Sequence, residues 1–157
     1  MVSPAEWGPN AWNLLHGLAE RVGVHTTISL IRDEQNEIRL TLRHFAALLP
    51  CKTCQIHYRE WLHKYPPEQF LKKSGGYLQD EMREWVFRLH EDVNQRREVV
   101  GIALDSLHDM YKSIDIRGAA TQLKGMYQRG VQQKVIKPDE WKMAWRHLDL
   151  LLRYMGI

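Results

Sequence analysis

Cys51-Lys52-Thr53-Cys54 contains both cysteines of this chain and follows directly on Pro50. Two thiols separated by two residues can close and open a disulfide on demand. At a helix start the dipole also favours the thiolate, which is the reactive species. With no other cysteine present, each can form an intramolecular disulfide only with the other. Either this pair is the chemical centre of the protein or the chain carries no thiol chemistry.

Several readings of the pair compete. A thioredoxin-like site belongs to a βαβ context, and no strand precedes Cys51. A zinc site could draw on Cys51, Cys54, His57 and His63, since CxxC is a common zinc half-site. Against it, His57 lies three residues past Cys54 on the same helical stripe, and no second ligand pair follows at finger spacing. A purely structural role as two small buried hydrophobes fits poorly with Lys52 and Thr53 between them. The remaining reading is a dithiol redox centre, which needs a two-electron acceptor. No second cysteine pair exists to relay electrons, so an organic cofactor is the natural acceptor. The chain has no GxGxxG after a strand, so the usual dinucleotide fold is excluded. A flavin would have to be held among helices by aromatic rings, histidine and asparagine.

The elements that must position the pair are helical throughout. Apolar steps of three and four predict a first helix over about Pro9 to Val22, with Trp12, Leu15, Ala19 and Val22 on one face and Gly23 at its end. A second is expected from about Asp33 to Leu49, stopped by Pro50. The CxxC opens a third, from about Cys51 to Lys64, closed by Pro66-Pro67. A turn of helix from Glu68 to Lys72 and the loop Ser74-Gly75-Gly76 come next. Leu78, Met82, Trp85, Leu89 and Val93 then mark a fourth helix reaching about Arg97. Beyond Gly101, helices are expected at Leu104 to Tyr111, at Ala119 to Gln128, and from Pro138 to about Met155 with Gly156 as the terminating glycine. The fold class is all-α, a helical bundle with additional C-terminal helices.

Composition is that of a globular protein: 44% hydrophobic, 26% charged and a net charge of +3. Mixed charges along the chain make no basic patch, so no nucleic-acid partner is expected. No apolar run approaches the roughly 20 residues of a membrane span. The N-terminus lacks the basic start and apolar stretch of a signal peptide, and two cysteines do not make a secreted disulfide framework. An intracellular protein is expected, with no membrane partner and no metal.

Three blocks together make the chain recognisable. Trp7 to His16 (WGPNAWNLLH), Phe45 to His57 (FAALLPCKTCQIH) and Trp85 to Asn94 (WVFRLHEDVN) resemble, in order and spacing, the motifs of the Erv/ALR family of FAD-linked sulfhydryl oxidases. The resemblance spans about residues 7 to 97. It implies a four-helix core that holds FAD beside the CxxC. Cys51 would be the interchange thiol, meeting the substrate dithiol, and Cys54 the flavin-side thiol. Electrons would pass through FAD to molecular oxygen, giving hydrogen peroxide. Gly8, Trp12 and His16 match FAD-lining positions, as do His57, Trp85, His90, Val93 and Asn94. Arg97, with Arg96 as the alternative, matches the basic residue that meets the pyrophosphate.

The chain also departs from the family pattern. Phe87 stands where members often start a structural disulfide, so its packing is expected to replace the crosslink. Glu91 replaces an asparagine. No distal shuttle pair exists, so a protein dithiol or a thioredoxin-like carrier must reach Cys51 directly. Viral members share this minimal cysteine arrangement, which suggests a viral, cytoplasmic or virion-associated protein. A homodimer is expected. The sequence divides into a core at 1–100 and an extension at 101–157 that packs on the core or forms the subunit interface.

Overall fold

The first helix starts well before Pro9, because Ser3-Pro4-Ala5-Glu6 is itself a start signal. In the computed structural model, which describes residues 2–157, α1 runs over Pro4–Ala19. The Glu6 carboxylate accepts the Ser3 N–H at 2.9 Å. Pro4 occupies the first helical position, where no N–H is needed. Pro9 stays inside the helix on an exposed face, so water can reach the carbonyl its ring cannot serve.

The second helix, α2 (Ile28–His44), also begins earlier than expected and stops sooner. Phe45–Leu48 tighten into a 3-10 turn and Leu49 is extended, with ψ 121, as a residue before proline must be. Next comes α3 (Lys52–Lys64), then a 3-10 turn at Pro67–Lys72 and α4 (Gly75–Arg96). Gly23 closes the α1 end at φ +81, where a Cβ would come within 2.3 Å of the Gly75 carbonyl oxygen. That close approach brings the end of α1 onto the start of α4.

After a 3-10 turn at Leu104–Ser106 come α5 (Leu107–Tyr111), α6 (Ile116–Lys124), α7 (Tyr127–Gln132) and α8 (Pro138–Tyr154). The single helix expected at 119–128 is therefore two. Asp115 starts the first by accepting the Gly118 N–H at 2.9 Å. Gly118 lies inside that helix, where a Cβ would strike the Asp115 carboxylate. Gly156 does end α8: its φ is +73, and the N–H groups of Gly156 and Ile157 return to the carbonyls of Arg153 and Leu152.

Helix α1 packs against α4 and α6, and α2 lies along α8. Leu14, Leu18, Ile38, Leu42, Met82 and Val86 are fully buried in one core with Ala120, Leu148, Leu151 and Leu152. A fully buried leucine contributes about 2 kcal/mol. The buried leucines of α6 and α8 thus match the scale of a domain's net stability, about 5–15 kcal/mol. Helices α6 and α8 share one core with the helices before them. Phe87 is half-buried and lies outside that core, so it does not replace a crosslink there. Among the described residues there is no strand, and no helix is long and apolar enough to cross a membrane.

Candidate active site

Cys51 is the N-cap of α3. Its extended backbone lets the sulfur turn back over the first turn, where it accepts the Cys54 N–H at 3.3 Å. Thr53 Oγ1 lies 3.4 Å from the same sulfur. Cys51 and Cys54 are joined as a disulfide, with their Cα atoms 5.2 Å apart. Two donors therefore converge on the Cys51 sulfur at the positive end of a helix, an arrangement that stabilises a thiolate there once the bond opens.

Cys54 lines a cleft of about 280 Å³; Cys51 does not. The cleft lies between the start of α1, the turn before α3, α3 itself and the last turns of α4. Trp7, Gly8 and Trp12 form one wall, Cys54, His57 and Tyr58 another, and Val93, Arg96 and Arg97 the end. Its interior is chiefly apolar and aromatic. The Trp7 indole N–H is buried without a partner. At Gly8 an added Cβ would meet nothing within 4 Å, so the chain leaves open space beside it.

His57 Nε2 lies 2.5 Å from Asp92 Oδ2, and Arg96 Nε is 3.3 Å from the same oxygen. The carboxylate accepts from His57 and pairs its charge with Arg96, fixing which His57 nitrogen carries hydrogen and leaving Nδ1 as the second functional atom. Asp92 was not singled out in the sequence. Its only signal is its place in the third block, four residues before Arg96. Arg97 has no ion-pair partner among the described residues.

Behind the cleft wall, four rings form a ladder. Trp12 stacks on His90 at 3.8 Å with planes 9° apart, and His16 Nε2 shares a hydrogen with His90 Nδ1 at 2.9 Å. Tyr111 of α5 stacks on His16 at 4.5 Å. Burial holds His16 down at about 3, helped by the neighbouring His90, and holds His90 down at about 4. Both rings are neutral at physiological pH. Burial also pushes the Tyr111 hydroxyl up.

The site residues expected from the sequence thus fall into groups. Gly8, Trp12, Cys54, His57, Val93 and Arg97 line one cleft. His16 and His90 stand one layer behind it, joined to it through Trp12. Asn94 donates to Glu91 Oε1 at 3.5 Å and its carbonyl accepts the Val99 N–H. Both side chains lie under Gly101, where a Cβ would collide with Glu91. Trp85 lies apart from the cleft: its indole donates to the Tyr65 carbonyl at 2.8 Å and its ring packs on Trp61 and Phe70. Among the described residues no group of three or more histidine, cysteine or acidic side chains is arranged to hold a metal, and His63 is exposed.

The model of the Erv1/Alr family matches residues 9–111, which include the CxxC, the ladder down to Tyr111 and the cleft apart from its residues at the start of α1. The chain belongs to the Erv1/Alr family. Two relatives are similar over part of the chain. The mitochondrial FAD-linked sulfhydryl oxidase of Schizosaccharomyces pombe is 28% identical over 92 residues, 59% of this chain and 46% of that protein. A probable FAD-linked sulfhydryl oxidase of Acanthamoeba polyphaga mimivirus is 26% identical over 95 residues, 59% of this chain and 59% of that one. The chain thus spans about half the length of the relatives it matches. No solved structure matches it. The Erv1/Alr match stops at Tyr111, so α6, α7 and α8 lie outside it.

Proposed function

We propose that the protein is an FAD-dependent sulfhydryl oxidase that makes disulfides in protein dithiols. The observation that carries this reading is the asymmetric placement of the two sulfurs: Cys54 lines the aromatic cleft, and Cys51, capping the helix, does not. The residues fit FAD. The cleft offers flat apolar walls, an unpartnered indole N–H at Trp7, open space at Gly8, and arginines at its end. Trp12, His57 and Val93 would hold the ring system. Arg97, which has no carboxylate partner, suits a pyrophosphate better than Arg96, which is held by Asp92.

The thiol chemistry follows from the N-cap. A substrate thiolate attacks the Cys51 sulfur, the Cys51–Cys54 bond breaks, and Cys54 leaves as a thiolate at the wall of the cleft. The second substrate thiolate then attacks its own sulfur in the mixed disulfide. Cys51 is released with the Cys54 N–H and the Thr53 hydroxyl to stabilise its charge. The substrate has lost two electrons, which the enzyme pair now holds as two thiolates, and the two protons given up by the substrate thiols have passed to solvent. FAD held there would supply the two-electron acceptor that returns the pair to a disulfide, with molecular oxygen as the final acceptor and hydrogen peroxide as the product. His57, oriented by Asp92, is the imidazole on the same cleft wall as Cys54 and can take up a proton released there.

The test is direct. The purified protein should be yellow, release FAD on denaturation, and consume oxygen when given a dithiol. Cys54→Ser should lose dithiol-driven flavin reduction. A colourless protein that fails to take up FAD would overturn the reading in favour of a non-catalytic helical binding module.

A further inference from the structure

Gln55 follows Cys54 directly and is buried, at 5% exposure. Its amide nitrogen uses both hydrogens, donating one to the Leu49 carbonyl and one to the Val135 carbonyl, each at 2.7 Å. Leu49 leads into Pro50-Cys51, and Gln55 leads out of Cys54. One buried amide therefore ties both ends of the dithiol segment to a turn 80 residues further along the chain.

That turn has little freedom of its own. Two residues past α7, Lys134 sits at φ +59; its N–H returns to the Val131 carbonyl while that of Val135 returns to Gly130. This closure satisfies the last helical carbonyls and fixes where the Val135 carbonyl points. Gly130 lies against Ile136: a Cβ there would come within 2.3 Å of the isoleucine Cδ1 and 2.7 Å of its Cγ1. Gln133 accepts the Val2 N–H from the start of the chain at 3.2 Å. All of this lies outside the region matched by the family.

We propose that this C-terminal turn is part of the frame of the redox centre and, through Gln55 as a positioning residue, sets the disulfide–dithiol equilibrium of Cys51 and Cys54. The equilibrium constant for closing such a pair reflects how often the two sulfurs meet in the reduced state. Pinning residues 49 and 55 to one amide keeps the reduced sulfurs close and so favours the disulfide. A side chain without donors leaves two buried carbonyls unpaired, and the segment relaxes. The inference rests on the redox role of the pair, but its test needs neither flavin nor oxygen.

The full-length protein is equilibrated anaerobically in glutathione buffers, trapped with an alkylating agent, and its thiols counted by mass. In the exchange, two glutathione thiols lose two electrons to become glutathione disulfide while Cys51 and Cys54 become thiols. Gln55→Met should be reduced at an about tenfold lower ratio of squared glutathione to glutathione disulfide, a potential about 30 mV higher. Gly130→Ala, which displaces the turn from its far side, should shift it in the same direction. The double variant should shift no further than the larger single. A folded Gln55→Met protein with the parent potential overturns the proposal, and so does an additive double variant. If Gln55→Met does not fold, an unshifted Gly130→Ala protein overturns it alone. Shifted potentials in a chain without oxidase activity would uphold the frame and remove the oxidase reading instead.

Discussion

Mild acid should destabilise this fold through two buried histidines, and the size of the effect can be worked out. His16 and His90 have ordinary values near 6.5 when unfolded and about 3 and about 4 in the folded protein. Because the folded values lie lower, the unfolded chain binds more protons below pH 6.5, and stability falls as pH drops. Each pH unit below that point costs about 1.4 kcal/mol per ring until the folded value is reached. At pH 5 both rings are still neutral in the native state, so the loss is about 2 kcal/mol each and about 4 kcal/mol for the pair. That is a large part of a typical net stability. The carboxylates held low by arginine or lysine partners, such as those of Glu68 and Asp149, lose stability only at more acid pH. Glu34, raised by burial, works in the opposite sense. Urea unfolding followed by tryptophan fluorescence at pH 7.5 and pH 5 measures the difference. His90→Gln keeps a polar partner for His16 and cannot titrate, so its acid loss should fall to about half. An unfolding free energy that agrees within about 1 kcal/mol at the two pH values would refute the neutral, buried histidine pair.

Other perturbations test other parts of the structure. Asp92→Asn removes the carboxylate that orients His57 and should slow dithiol-driven flavin reduction about fivefold, the equivalent of about 1 kcal/mol. Stopped-flow flavin bleaching across pH would show it, and an unchanged pH profile would separate His57 from the chemistry. Gly23→Ala forces a side chain into a left-handed backbone and against the Gly75 carbonyl. It should cost at least about 2 kcal/mol, a fall in melting temperature of about 4–8 °C by calorimetry. Tyr58→Phe removes the buried hydroxyl that donates to the Leu42 carbonyl at 2.6 Å. It should lower unfolding free energy by about 1–3 kcal/mol in a urea titration.

The parts of this protein that were legible in the sequence are those governed by neighbouring residues. Pro50 before Cys51 marks a chain leaving one helix and starting another, and α3 begins there within one residue of expectation. Gly156 stands two residues past the end of α8 in the left-handed conformation that its position called for. The start of α1 was misplaced because Pro9 competes with Pro4 as a first-turn signal, and only the Ser3–Glu6 hydrogen bond decides between them. What sequence spacing could not reveal is pairing over distance. Asp92 meets His57 across 35 residues, and Tyr111 covers His16 from an element with no motif of its own. Trp85 donates its indole N–H to the Tyr65 carbonyl, a partner its block does not announce. In each case a side chain's neighbour comes from another helix, and the linear pattern holds no record of it.

The bond from Gln55 to Val135 also has a meaning in time. During synthesis the two cysteines are made 80 residues or more before the carbonyl that helps to hold their segment. At about 5–20 residues per second, that interval lasts about 4–16 s. For that long the nascent chain carries a pair of thiols without the anchor that the finished protein provides. A translation pause between α4 and α8 would lengthen this exposure.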